Sequence, residues 1–106
     1  NNNIERAEEL SSRANKMKPN VSTYQDTYAY ILFRKGRYFD ALKWIKKAQE
    51  NASYQSGTLL EHFGDIYIMI DKTEEALEYW NKALKYDDHT NVLKEKIKDK
   101  KFYEAK

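Results

Sequence analysis

The segment FRKGRYFDALKWIKKA, residues 33–48, combines six basic and four aromatic side chains in sixteen residues. Such a composition fits either a nucleic-acid-binding strip or one unit of a repeating scaffold. Moved forward by 35 residues, the segment falls on IMIDKTEEALEYWNKA, residues 68–83. The matched positions are Ala41 with Ala76, Leu42 with Leu77, Trp44 with Tyr79, Ile45 with Trp80 and Ala48 with Ala83. A shift back by 34 residues places Ala41 on Ala7 and Ala48 on Ala14, so the pattern occurs three times.

The basic residues of the segment are not repeated, in contrast to its small and large apolar residues. In the next copy Arg34, Lys35 and Lys43 are replaced by Met69, Ile70 and Glu78. Positions that recur between the copies reflect the fold, whereas positions that differ between them reflect exposure to solvent or a local specificity. The repeat therefore favours the scaffold, with the charges of residues 33–48 mostly facing water.

The apolar spacing within each copy is helical. Tyr38, Ala41, Leu42, Ile45 and Ala48 form one stripe of a helix. A second helical pattern lies upstream of each copy, and Ala29 or Gly64 stands where the two helices would approach closely. We predict helices at about 3–17, 22–35, 38–51, 57–70, 73–86 and 90–104.

The composition narrows the class of protein further. The 106 residues contain no cysteine, three glycines and one proline, and the formal net charge is +2. A disulfide framework and a thiolate metal site are therefore excluded, and helices are favoured over strands joined by tight turns. The near balance of charge gives no general attraction to nucleic acid. No apolar run approaches the ~20 residues of a membrane span.

The repeated residues resemble the tetratricopeptide repeat (TPR), whose signature is W-x2-L-G-x2-Y followed by A-x3-F. The third copy matches through Leu60, Phe63, Gly64 and Tyr67, then Ala76 and Trp80. The second copy has Gln25, Tyr28, Ala29 and Leu32, then Ala41 and Ile45; the first is half a unit, with Ala7, Ser11, Ala14 and Pro19. This resemblance implies an all-α fold, a right-handed α-solenoid of antiparallel helix pairs with about two and a half TPR units plus a C-terminal capping helix. We expect one TPR-like domain over 1–106, with a half repeat at 1–20, repeats at 21–55 and 56–89, and the capping helix at 90–106.

The chain begins on the second helix of a unit, which suggests the C-terminal part of a longer array. The helix at 3–17 would then lack its partner, and Ile4, Ala7, Leu10 and Ala14 would be exposed. One alternative function is therefore a structural segment that self-assembles, for instance as a homodimer through this edge, or that packs within its parent protein.

The resemblance implies a partner-binding groove, because the first helix of each pair lines the concave face in this family. The residues predicted to line it are Thr23, Asp26, Thr27, Tyr30, Phe33 and Arg34 on the helix at 22–35, and Thr58, Glu61, His62, Asp65, Ile68 and Met69 on the helix at 57–70. Tyr30, Phe33, Ile68 and Met69 would form an apolar floor, and Asp26, Glu61 and Asp65 would add negative charge. We therefore expect a protein or peptide partner, extended or helical, with apolar anchors and some basic residues. The alternative is that these residues only contact neighbouring helices.

The segment from Lys94 to Lys101 is the densest basic run, and Phe102 and Tyr103 follow it. It could bind phosphates or an anionic membrane surface. Glu95, Asp99 and Glu104 dilute its charge, so a capping helix with its lysines in water is the favoured interpretation.

No catalytic or metal-binding pattern is present in the sequence. His62 and His89 stand 27 residues apart without cysteine or an HExxH motif, and the three glycines do not form a phosphate loop. We expect no enzyme, no cofactor, no metal and no small-molecule substrate. The absence of cysteine leaves the cytoplasm and the periplasm equally open as compartments.

Overall fold

The computed structural model describes residues 2–106, which form α-helices joined by turns and contain no strand. The helices within this range are α1 (Asn2–Met17), α2 (Ser22–Arg34), α3 (Tyr38–Asn51), α4 (Gly57–Met69), α5 (Thr73–Ala83) and α6 (Leu93–Asp99). The predicted all-α class is confirmed. None of the described helices is long and apolar enough to cross a membrane. The chain divides into two compact units, of which one ends at Ser53 and the other begins at Tyr54.

The first unit contains α1, α2 and α3, and its most extensive contacts join α2 to α3. Ala29 on α2 is fully buried, as are Ala41, Ile45 and Ala48 on α3. The repeated small residues are thus core positions, because a small side chain lets two helix backbones approach closely. Gly36 forms the turn between the helices at a φ of +81°, which glycine adopts without steric cost.

Polar and charged side chains take part in the attachment of α1 to the first unit. Asn15 is buried and donates from Nδ2 to the Tyr24 carbonyl at 3.2 Å. The Lys35 ammonium lies 2.9 Å from Glu5 and 2.5 Å from Glu8. Charged and amide side chains therefore supply much of what holds α1 in place.

The second unit contains α4, α5 and α6. Leu60, Ala76, Trp80, Ala83 and Leu93 form its buried apolar cluster. The indole of Trp80 lies against Gly64, where an added Cβ would stand 2.2 Å from its Cδ1 atom. A glycine on α4 thus makes room for the largest side chain of α5.

The start of α4 is fixed by a residue that follows α5. The Asp88 carboxylate accepts hydrogen bonds from the Gly57 and Thr58 amides at 2.8 and 3.1 Å, and from the Ser56 hydroxyl. Burial raises the pKa of Asp88, but these donors lower it to about 2. The helix α5 itself ends at Ala83 rather than at the predicted 86, and the Lys85 and Tyr86 amides then bond to carbonyls three residues back.

The predicted ends of the first four helices agree with the structure to within a residue, but the predicted helix at 90–104 is wrong in length. The observed α6 covers only Leu93–Asp99. Lys100 then adopts the left-handed conformation with φ of 55°, and the Lys101 amide donates to the Lys96 carbonyl. This closure ends the helix.

We expect Gly64→Ala to destabilise the protein by about 1–3 kcal/mol, because the new methyl group overpacks the Trp80 indole. The higher helix propensity of alanine alone would instead stabilise the protein by about 1 kcal/mol. Urea unfolding followed by circular dichroism measures the difference. The control Gly36→Ala meets no atom within 4 Å and tests backbone strain alone. A Gly64→Ala variant as stable as the wild type would contradict the packing at this position.

Candidate interaction surfaces

The outward face of α2 keeps most of the residues predicted to bind a partner. Thr23, Thr27 and Arg34 are exposed, and Asp26 and Tyr30 are half-buried. The Thr27 hydroxyl donates to the Thr23 carbonyl, which leaves its methyl group on the helix surface. Five of the six predicted α2 residues therefore remain accessible on one helix.

Phe33 differs from these five because it is only 4% exposed. Its ring stacks on Tyr30 with centroids 5.5 Å apart and also packs near Tyr38 at 5.6 Å. Phe33 is thus a support beneath Tyr30 rather than a surface residue. The consequence is that the Tyr30 ring has a fixed position on the α2 face.

The residues predicted on α4 fall into four environments. Met69 is 40% exposed and His62 is half-buried. Ile68 packs against the apolar cluster of the second unit, and the amide and hydroxyl of Thr58 both bond to Asp88. Only Met69 and His62 keep side chains that are neither core nor cap.

Glu61 and Asp65 belong to a fourth environment, because both are buried, at 1% exposure each. The Lys96 ammonium lies between them, 2.7 Å from Glu61 Oε2 and 2.8 Å from Asp65 Oδ1. Lys96 itself is only 2% exposed. We call these three residues the buried ion cluster. Burial in this cluster removes both carboxylates from the predicted binding surface.

Further hydrogen bonds hold each carboxylate of the buried ion cluster. Trp80 Nε1 donates to Asp65 Oδ1 at 3.1 Å. The Thr90 amide donates to Glu61 Oε1 at 2.7 Å, and the Thr90 hydroxyl donates to Glu61 Oε2. The cluster therefore joins α4 to α5, to the turn after α5 and to α6.

The charges of the cluster do not cancel, since two carboxylates face one ammonium. Burial raises the pKa of Asp65 to about 6, against the lowering effect of Lys96. Burial acts in the same sense on Glu61, but hydrogen bonds from Lys96 and Thr90 hold its pKa below the ordinary value. The pKa of Lys96 is raised, because the two carboxylates outweigh its burial. Asp65 is thus the member that binds a proton first as the pH falls.

The prediction that the lysines of the last helix face water is wrong for Lys96. Lys94, Lys98, Lys100 and Lys101 are exposed, but Lys96 is buried between Glu61 and Asp65. The Phe102 ring lies 5.0 Å from the Lys96 ammonium, and the Tyr103 hydroxyl donates to Asp99. The aromatic neighbours of the basic run therefore contact α6 itself.

A sequence signal for this burial does exist. Leu93, Lys96 and Ile97 follow helical spacing, so the lysine stands inside an apolar stripe. A lysine in that position needs a buried anion. What the spacing does not indicate is which carboxylates, some thirty residues away, supply it.

The outer surface of α1 retains apolar side chains. Leu10 is 48% exposed and Met17 is 81% exposed, whereas Ile4, Ala7 and Ala14 are half-buried. The predicted exposed edge of α1 therefore reduces to Leu10, with Met17 added. The residues that the structure describes do not indicate which surface would cover Leu10 and Met17.

The described residues contain no group of three or more histidine, cysteine or carboxylate side chains arranged to hold a metal ion. His89 Nδ1 lies 2.8 Å from the Thr90 carbonyl oxygen, a local contact within the turn. Searches against protein-family models and against curated proteins find no match to this chain. Function is therefore inferred from the surfaces of the chain itself.

We expect Asp65→Asn to remove a rise in stability that the wild type shows on mild acidification. A folded pKa near 6, above the unfolded value, means that the folded state takes up a proton first. The free energy of unfolding of the wild type should therefore increase by about 1 kcal/mol from pH 7 to pH 5. Stability should then fall at lower pH, where Glu61, Glu8 and Asp88, whose pKa values are lowered, become protonated.

Urea unfolding at several pH values measures this difference between the wild type and Asp65→Asn. Both proteins contain both histidines, so the difference between their curves reports Asp65. Parallel curves between pH 7 and pH 5 would contradict the proton uptake assigned to Asp65.

Lys96→Met should destabilise the second unit strongly, by about 3–5 kcal/mol, because it leaves two buried carboxylates without a cation. The matched control is Lys94→Met, which changes an exposed lysine on the same helix. The triple variant Lys96→Met/Glu61→Gln/Asp65→Asn should recover much of the loss, since it removes the uncompensated charges. Equal stabilities for the two single variants, measured by urea unfolding, would mean that Lys96 is not buried between the carboxylates.

Proposed function

We propose that this chain is a non-catalytic protein-interaction module of TPR-like architecture, which binds an extended or helical segment of a partner protein. The observation that carries this proposal is the outward face of α2. Tyr30 stands there as a half-buried ring stacked on the buried Phe33, flanked by the exposed Thr27 and Arg34. A tyrosine that is already ordered loses little conformational entropy on binding, which favours it as an anchor.

The chemistry of this face defines the partner. Tyr30 offers an aromatic surface with a hydroxyl group, Thr23 and Thr27 offer methyl groups, and Asp26 and Arg34 offer one charge of each sign. Glu61 and Asp65 do not present their carboxylates to a partner, because both are buried against Lys96. The partner segment therefore needs an apolar or aromatic side chain for Tyr30 more than it needs basic residues.

Met69 on α4 is a further candidate contact residue. It is exposed at the end of the helix, and its flexible thioether adapts to irregular partner surfaces. His62, half-buried on the same helix, adds a polar group. The proposed binding residues are accordingly Thr23, Asp26, Thr27, Tyr30, Arg34, His62 and Met69.

A second candidate function is self-assembly through α1, and the exposed Leu10 and Met17 favour it. Apolar side chains of this size, repeated along one helix, are typical of a contact surface. A molecular mass measured by light scattering that rises with concentration in the wild type, and not in Leu10→Asp/Met17→Asp, would support it. A monomer at all concentrations would eliminate it.

We expect Tyr30→Ala to reduce capture of a partner at least tenfold in a pull-down from the source lysate, with the helical circular dichroism unchanged. A tenfold loss corresponds to about 1.4 kcal/mol, the size of one anchor contact. The matched control is Tyr54→Ala, because Tyr54 is 75% exposed and lies outside the α2 face. Phe33 is left intact because its side chain is buried. A substitution there would affect folding as well as binding, and the two effects could not be separated.

The pull-down separates the candidates clearly. A protein recovered with the wild type and with Tyr54→Ala, but lost with Tyr30→Ala, supports the α2 face and identifies the partner. Equal recovery with all three proteins would contradict the role of Tyr30.

A further inference from the structure

The first unit contains a small polar cavity with walls from α1, α2 and α3. Its volume is about 260 Å³. The lining includes Asn15 from α1, Gln25 from α2, and Trp44, Lys47, Glu50 and Asn51 from α3. Three side-chain amides, one from each helix, thus meet at one cavity. We call it the amide cavity.

Hydrogen bonds between the helices hold the walls of the amide cavity in place. Asn15 Nδ2 donates to the Tyr24 carbonyl at 3.2 Å, which joins α1 to the start of α2. The Ser22 hydroxyl donates to the Ala48 carbonyl at 2.8 Å, which joins α2 to the last turns of α3. The cavity is therefore formed in the free protein, as most ligand sites are.

Asn15 brings a buried acceptor to this cavity. The residue is only 7% exposed, and its Nδ2 donates to the Ser11 and Tyr24 carbonyls at 3.0 and 3.2 Å. Since only the nitrogen of the amide can donate to two carbonyl oxygens, the orientation of the amide is fixed. Oδ1 then has no donor among the residues that the structure describes. A buried acceptor without a donor costs free energy, and a donor can approach Asn15 through the cavity that it lines.

Gln25 supplies the opposite polarity and is only 4% exposed. Asn51 Nδ2 donates to the Lys47 carbonyl at 3.1 Å, so Asn51 turns its nitrogen inward. The same nitrogen donates to Gln25 Oε1 at 3.0 Å. Gln25 therefore directs its oxygen to Asn51, which leaves Nε2 as the end of its amide that can donate to a ligand.

The charges around the amide cavity favour a neutral ligand. Lys47 and Glu50 add one charge of each sign to its walls. The Lys47 ammonium already lies 4.4 Å from the centroid of the Trp44 ring, and Tyr28 meets the same ring edge-on at 4.9 Å. A charged ligand would be attracted by one of the two charged residues and repelled by the other.

We propose that the amide cavity binds a neutral carboxamide, which donates an N–H to Asn15 Oδ1 and accepts a hydrogen bond from Gln25 Nε2. A carboxamide carries one donor and one acceptor side by side, the pair that these two residues leave open. The amide side chains of a partner protein and its main-chain peptide groups share this chemistry. The site does not rest on the proposed function, because it uses Asn15 and Gln25 rather than Tyr30.

Small amides added to the wild-type chain test the site, with the Asn15 and Gln25 side-chain amide signals followed by nuclear magnetic resonance. Propionamide should shift both signals as its concentration rises. N,N-dimethylpropionamide keeps the acceptor but has no N–H, so it should bind at least tenfold more weakly. Propionate, which also lacks a donor, should bind as weakly. Tighter binding of N-methylpropionamide than of propionamide would identify a main-chain peptide group as the ligand, and weaker binding would identify an amide side chain.

The variant Gln25→Glu removes the Nε2 donor and keeps an oxygen for Asn51. It should bind propionamide at least tenfold more weakly than the wild type. The matched control is Glu50→Gln, which changes an exposed residue of the same wall and neither proposed bond. Glu50→Gln and Tyr30→Ala should both bind propionamide as the wild type does, so a failure of the α2 face would not affect this site.

Two results on the wild-type protein would overturn the proposal, even if Gln25→Glu fails to fold. One is equal binding of propionamide and N,N-dimethylpropionamide, which would show that Asn15 Oδ1 receives no proton from the ligand. The other is the absence of any shift of the Asn15 and Gln25 side-chain signals at molar propionamide, which would show that the cavity takes up only water.

Discussion

The second unit depends on a lysine buried between two carboxylates. Burying Lys96, Glu61 or Asp65 alone in an apolar interior would cost free energy, and the opposite charge of the neighbouring group offsets that cost. The remaining hydrogen-bonding capacity of the carboxylates is taken up by Trp80 and Thr90. Every element of the unit must therefore be in place before the cluster is satisfied, which favours one arrangement of α4, α5 and α6 over others of similar apolar burial.

This constraint also limits what the protein can bind. Glu61 and Asp65 seem in sequence to make one helix face acidic, but both are buried against Lys96, so neither carboxylate is presented to a partner. The proposed binding residue of the first unit is instead Tyr30, whose ring stacks on Phe33. Under the proposed function the two units differ in role: the first carries the aromatic anchor Tyr30 on α2, and the second is held together by the buried ion cluster.

The repeat at 33–48 and 68–83 predicted most of the helical architecture, because small and large apolar residues recur at core positions. Ala41, Ala48, Ala76 and Ala83 are all fully buried. What the spacing could not predict were contacts between residues far apart in sequence. The capping of α4 by Asp88 and the pairing of Lys96 with Glu61 and Asp65 each join positions about thirty residues apart.

The candidate site was predictable to a similar extent. Helical spacing placed Thr23, Thr27, Tyr30 and Arg34 on one face of α2, and they are accessible there. The same spacing placed Glu61 and Asp65 beside Met69 on α4, but burial by a later segment changed their environment. A charge-rich run is usually solvated, and only the apolar neighbours of Lys96 signal otherwise.

The most direct test of this account is nuclear magnetic resonance of the Lys96 side chain in the wild-type protein, with nitrogen-15 labelled lysine and Lys96→Arg for assignment. We expect one lysine ammonium whose protons exchange slowly with water and show contacts to the Phe102 ring. If every lysine ammonium exchanges as rapidly as an exposed one, Lys96 is in solvent, Glu61 and Asp65 are unpaired, and the proposed division of roles between the two units is wrong.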